Sequence, residues 1–213
     1  AVRLNGVTVA YGKKKVVENI SWTVGRGDKW ALTGPNGSGK TMLLSLIFAD
    51  NPQAYANDII LFDRRRGTGE SIWDIKDMIG FASPETQLFF RKGKTCKEVA
   101  LSGLYENPYR PAQATDGVLR FIDESLDYFS MSHLGGQPFE NLSTARRNIV
   151  LLIRALAKNP PMLVLDEPFQ GFDLATVEAA RRLLDACCID RTLIFVSHRP
   201  EEFPSRIDKF YAL

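Results

Sequence analysis

Eight consecutive residues, Gly34-Pro35-Asn36-Gly37-Ser38-Gly39-Lys40-Thr41, put three glycines, a lysine and two hydroxyls into one short loop. Glycine lets successive backbone N–H groups turn inward on an anion, and the spacing is that of a phosphate-binding loop. Lys40 would reach the terminal phosphates and the Thr41 hydroxyl would sit on Mg²⁺. A second group lies far along the chain, where Met162-Leu163-Val164-Leu165 runs into Asp166-Glu167-Pro168. An acid at the carboxyl end of a buried strand can hold the Mg²⁺ shell through water, so Asp166 joins Thr41 as a metal-binding candidate. Glu167 is then the candidate to polarise an attacking water, a role worth about 10²–10⁴-fold in rate. Two acids at a strand end could serve only as helix caps, but the phosphate loop weighs against that reading.

Elements must bring these groups together. Alternating or continuous apolar runs predict strands over Arg3–Tyr11, Ile20–Val24, Trp30–Thr33, Ile59–Phe62, Met78–Ala82, Met162–Leu165, Thr192–Val196 and Asp208–Leu213. Helical spacing predicts helices over Lys40–Phe48, Cys96–Leu104, Thr115–Phe129, Thr144–Lys158 and Leu174–Ala186. The loop from Gly34 to Gly39 therefore follows a strand and opens a helix, the setting that phosphate binding needs. Residues 84–158 carry helical spacing and almost no strand signal, which predicts a helical subdomain inserted into an α/β fold.

Composition excludes several classes. The 27 basic residues are nearly matched by 25 acidic ones, so the net charge of +2 gives no nucleic-acid footprint. The runs Lys13-Lys14-Lys15 and Arg64-Arg65-Arg66 lack interleaved aromatics and read as solvated turns. No apolar stretch reaches the length of about 20 residues that a membrane-spanning helix needs, so transport would require a separate membrane partner. Cys96, Cys187 and Cys188 match no metal spacing and read as packed thiols of a reducing compartment. That is the cytoplasm, the cytoplasmic face of a membrane, or an organelle matrix. The chain opens on Ala1 rather than methionine, which suggests a piece of a longer polypeptide.

The order of these motifs resembles the nucleotide-binding domain of the ATP-binding cassette (ABC) ATPases over essentially all of residues 1–213. It rests on Tyr11, the phosphate loop, a switch loop near Gln87, Leu142-Ser143 opening a helix, Leu165-Asp166-Glu167-Pro168 followed by Gly171-Phe172-Asp173, and Ser197-His198. The resemblance implies a P-loop NTPase core with an N-terminal antiparallel lobe, ATP and Mg²⁺ as cofactors, and ATP hydrolysis. Within it Tyr11 would stack on adenine, where its alternative is a core aromatic. His198 would touch the γ-phosphate, whereas His133 has no such setting and reads as a surface residue. Asp173 would sit between two cassettes, cap its own helix, or do both. Gln87 would be a catalytic and metal-side residue of the switch loop. The family places that glutamine almost directly after the strand, however, so Glu85 is a rival.

The family's cassettes pair head to tail, with ATP held between one phosphate loop and the other cassette's signature, usually Leu-Ser-Gly-Gly-Gln. Here that stretch reads Leu142-Ser143-Thr144-Ala145-Arg146. Ser143 and the helix N-terminus still favour a phosphate, but both glycines are replaced, and the methyl of Ala145 or the branch of Thr144 should hinder close approach. Arg146 adds charge that offsets part of this. The expected partner is therefore a second cassette, in the same polypeptide or a homologue, with a membrane transport subunit beyond it. A soluble cassette ATPase, or a nucleotide-gated interaction module with little turnover, are the alternatives. The run Glu70–Ser83 and the variant signature most resemble tandem-cassette molybdenum-transport ATP-binding proteins, which does not itself establish molybdate transport.

Overall fold

Met162–Asp166 is buried at every residue, and so is Thr192–Val196. A strand that is apolar on both faces must be covered on both, which fixes a central sheet between two layers. The computed structural model of the chain, which describes residues 1–12, 14–105, 107 and 113–213, shows how. Lys13 of the Lys13-Lys14-Lys15 run lies outside the described residues.

The elements run β1 (Val2–Tyr11), β2 (Lys14–Val24), β3 (Lys29–Thr33), α1 (Lys40–Ile47), β4 (Asp58–Leu61), β5 (Arg64–Arg65), α2 (Ile72–Met78) and β6 (Ile79–Ala82). They continue with α3 (Cys96–Leu101), α4 (Asp116–Tyr128), α5 (Thr144–Ala157), β7 (Met162–Asp166), α6 (Leu174–Cys187), β8 (Thr192–Val196) and β9 (Lys209–Ala212). One sheet is antiparallel in the order β2-β1-β4-β5, and the other is parallel in the order β6-β7-β8-β3-β9.

Side chains of the parallel sheet alternate between two apolar clusters. Leu163, Leu165, Leu193 and Phe195 face α5, α6 and the helices between β6 and β7. Met162, Val164, Ile194 and Val196 face α1 and the antiparallel sheet. Among the described residues, all regular elements between β6 and β7 are helical, with 3₁₀ turns at Pro84–Phe89 and Ser102–Tyr105.

Several expectations change. Strand β2 begins at Lys14 rather than Ile20, so Lys14 and Lys15 lie in a strand and not in a turn, and Met78 ends α2 instead of opening β6. Arg66 does not lie in a solvated turn: its side chain is buried in an ion pair with Glu70 at 2.8 Å, and its guanidinium stacks 4.8 Å from the centre of the Tyr55 ring. Two apolar-free residues, Arg64 and Arg65, form β5 through a turn with positive φ at Phe62 and Asp63, where the apolar pattern carried no strand signal. Helix α2, capped by Ser71 and Asp74, also goes beyond the apolar spacing, being only seven residues long.

Helix α5 packs directly on β6. A methyl group at Gly80 would stand 2.2 Å from the Ala155 carbonyl oxygen and 2.6 Å from Leu163 Cδ2. Gly80→Ala should therefore push α5 off the sheet and destabilise the chain by about 3 kcal/mol or fail to fold. Denaturant titration measures it, and an unchanged midpoint would show that the α5–β6 contact yields.

Candidate active site

The parallel register decides what meets what. Asp166 pairs with Val196 and Leu32 pairs with Val196, so β7, β8 and β3 end level with one another. The three loops that leave those ends carry Glu167, His198 and Gly34–Gly39. They form a cleft of about 390 Å³ lined by Val16, Met42, the phosphate loop, Asp166, Glu167 and His198.

The loop's glycines are required by its path. Gly34 has φ +141°, and a Cβ there would lie 2.6 Å from the Leu213 carbonyl oxygen. At Gly39, φ is +98° and a Cβ would reach 3.0 Å from the Val16 carbonyl oxygen. Lys40 is buried, and its ammonium donates to the carbonyl oxygens of Gly34 at 2.8 Å and Pro35 at 2.9 Å. Thr41 Oγ1 donates to Asp166 Oδ2 at 2.9 Å.

Glu167 stands in the left-handed region at φ +46°, a conformation that is strained for a side-chain-bearing residue and is found where function holds it. Its N–H is fixed by the Val196 carbonyl at 3.0 Å. Its Oε1 lies 3.2 Å from His198 Nε2 and is buried, but makes no hydrogen bond. Burial pushes the Asp166 carboxyl above the usual carboxylate range, with Glu85 adding to the rise and Thr41, Lys40 and His198 opposing it. Burial raises Glu167 too, opposed chiefly by His198.

This donor set fits a magnesium nucleotide. In the same loop, Ser38 Oγ is buried and makes no hydrogen bond, and the Lys40 ammonium donates to two loop carbonyls. A phosphate oxygen suits both groups. Thr41 and Asp166 present hard oxygens side by side, as Mg²⁺ and its waters require. Among the described residues no cluster of three or more His, Cys, Asp or Glu stands ready to hold a metal by itself.

The remaining candidates lie outside the cleft. Tyr11 is half exposed at the end of β1, and its hydroxyl meets Met42 Sδ at 3.6 Å, so it is not a core aromatic. Gln87 sits in the turn Pro84–Phe89 and accepts from Arg147 Nη1 at 3.3 Å, while it is the charge of Glu85 that Asp166 feels. Ser143 caps α5, accepting from the Arg146 N–H at 3.4 Å. The Ala145 methyl packs toward the core under Gly171, which leaves Thr144 as the exposed branch at the helix start. Asp173 caps α6 by accepting from the Thr176 N–H at 2.8 Å. His133 is exposed in the turn Ser132–Leu134. Sequence reasoning missed Val16 and Met42, whose place in the wall depends only on the tertiary path, and it missed Arg147 as the holder of Gln87.

The chain is similar to known proteins over most of its length. A family model described as "ABC transporter" matches residues 17–170. The ABC transporter ATP-binding protein ModF of Escherichia coli is 39% identical over 207 residues, covering 96% of this chain and 42% of ModF. An uncharacterized ABC transporter ATP-binding protein of Schizosaccharomyces pombe is 34% identical over 211 residues, covering 98% of this chain and 43% of that protein. The chain thus spans less than half the length of these two relatives. In fold it is similar to the cassette MJ0796 in its dimeric post-hydrolysis state bound to ADP and Pi, with TM-score 0.83, 22% identity, and coverage of 100% of this chain and 94% of that one.

The raised Asp166 pKa carries a sign. The folded chain keeps this proton to a higher pH than the unfolded chain, so between the two pKa values folding takes up a proton and stability falls as pH rises. Asp166→Asn should raise the melting temperature of the nucleotide-free chain at pH 7 by about 2–4 °C, with the gain shrinking toward pH 4. Melting curves across that range test it, and equal melting temperatures at pH 7 would show that burying this carboxylate costs nothing.

Proposed function

The chain belongs to the ABC transporter family and is an ATPase cassette of that type, and from this premise we propose that it binds MgATP in the cleft at the ends of β3, β7 and β8. The observation that carries the reading is the 2.9 Å bond between Thr41 and Asp166, with Glu167 and His198 lining the same cleft. The loop's N–H groups and Lys40 hold the phosphates, and Thr41 and Asp166 hold Mg²⁺ or its waters. The bound ion supplies charge neutralisation of the terminal phosphates. Glu167 accepts a proton from the attacking water: its backbone is locked, one oxygen lacks a hydrogen bond, and its raised pKa makes it a better base than an ordinary carboxylate. His198, whose Nε2 stands 3.2 Å from Glu167 Oε1, is placed to meet the γ-phosphate beside that carboxylate. Tyr11 stacks on the adenine.

Ser143 does not line this cleft, which supports its offer to the nucleotide of a second cassette, in the same polypeptide or a homologue, paired head to tail. A transporter role for the assembly is supported by a groove of about 550 Å³ beside the switch loop, lined by Phe48, Trp73, Phe81, Phe89, Phe90 and Tyr105 among others. Phe89 in that lining is 83% exposed, and its neighbour Leu88 is 80% exposed, as a docking site for a membrane subunit would be. No helix among the described residues is long and apolar enough to cross a membrane. The chain would then sit at the cytoplasmic face, where its three free cysteines stay reduced.

Glu167→Gln should keep ATP affinity while turnover falls about 10²–10⁴-fold, read by nucleotide fluorescence and phosphate release. An unchanged rate would remove Glu167 from the mechanism, and negligible turnover in both chains would favour a nucleotide-gated interaction module. In that background the isolated chain should stay monomeric with ATP, and adding Thr144→Gly should double its mass in light scattering. Dimerisation with Thr144 in place would show that this signature closes on a phosphate as it stands.

A further inference from the structure

Glu202 is a buried carboxylate that the proposed reaction does not use. It is 4% exposed, in the turn Pro200–Glu202 just after the His198 loop. Burying an acid is costly unless its oxygens are engaged. Its Oε2 accepts from the Ser197 hydroxyl at 2.5 Å, and Ser197 is itself 3% exposed. The same hydroxyl accepts from the Arg199 N–H at 3.0 Å, so both hydrogen-bonding directions of Ser197 are used. The Arg199 guanidinium stands 3.6 Å from Glu202 Oε1.

The carboxylate is fixed from behind as well. The Glu202 N–H donates to the Arg199 carbonyl at 3.0 Å, and the next residue, Phe203, packs edge-on against Phe195 of β8. Arg181 of α6 donates to the Phe203 carbonyl at 2.8 Å. The Ser197 side chain before His198 and the Arg199 N–H after it are thus tied to one buried acid, while the imidazole projects half-exposed to 3.2 Å from Glu167.

We propose that Glu202 is a positioning residue, which through the Ser197 hydroxyl fixes the backbone around His198 and so sets where the imidazole stands against Glu167 and a terminal phosphate. This rests on the reading of Glu167 and His198 as parts of the nucleotide site.

The chain has only two histidines, so the imidazole signals of His133 and His198 can be followed by NMR in the nucleotide-free protein, with His198→Asn as the assignment. Ser197→Ala should shift and broaden the His198 signals, leave those of His133 in place, and lower kcat about tenfold or more with ATP affinity unchanged, as misplacement of a catalytic group does. Glu202→Ala should do the same. Glu202→Gln, which can still accept from the Ser197 hydroxyl, should restore the His198 signals and most of kcat. Unmoved His198 signals in Ser197→Ala would overturn the proposal, and so would a Glu202→Gln chain as defective as Glu202→Ala. Should Glu202→Ala not fold, the Ser197→Ala spectrum decides alone. Full turnover in His198→Asn would sink the role of His198 in the nucleotide site, while the spectra would still decide whether Glu202 positions it.

Discussion

The site depends on three parallel strands ending at one level. With β7 paired to β8 and β8 paired to β3, Asp166, Val196 and Leu32 lie side by side, and the chain leaves all three strands at the same edge of the sheet. Parallel pairing needs long crossovers, and those crossovers cover both faces of the sheet with helices and with the antiparallel lobe. Chemistry-bearing residues more than a hundred positions apart thus converge without any of them having to stabilise the fold. A slip of one residue between β7 and β8 would turn Leu163 and Leu165 from one cluster to the other and withdraw Asp166 from Thr41.

That division lets the edge hold groups that destabilise a folded chain. Asp166 and Glu167 are adjacent acids whose pKa values burial raises, Glu167 carries a left-handed backbone, and Ser38 Oγ is buried without a hydrogen bond. None of these would survive in a segment that had to fold on its own contacts. They persist because β7 and β8 are buried at every position and α5 is buried from Asn148 to Ala157. Strain and desolvation at the cleft are offset by apolar burial behind it.

The same division explains what could be read from the sequence. Apolar periodicity marked the strands and helices that build the two clusters, because burial enforces it, and the bounds of Thr192–Val196 were legible to the residue. The phosphate loop and the acids after β7 were legible because their chemistry demands fixed residue types at fixed spacing. Polar contacts across the fold were not. The buried Arg66–Glu70 pair looks in sequence like a solvated run, and β5 has no apolar residue to announce it. Met42 and Val16 enter the cleft wall only through the tertiary path of α1 and β2.

Helix α5 links the cleft to the surface proposed to meet a second cassette. Its exposed first turn offers Ser143, while Arg147 holds Gln87 of the switch loop and Asn148 donates to the Gln170 carbonyl at 2.8 Å, just before Gly171. One helix thus touches the loop beside the apolar groove, the segment that follows Glu167, and the surface proposed to meet a partner's nucleotide. Because its remaining length is buried on all sides, α5 cannot tilt by bending. A displacement at Phe89 or Phe90 can reach α5 by two routes, through Gln87 and Arg147 and through Arg154, whose guanidinium stands 5.6 Å from the centre of the Phe90 ring. On the proposed pairing, the variant signature would weaken contact at the exposed start of α5 while the contacts of the same helix with the switch loop and the apolar groove stay in place.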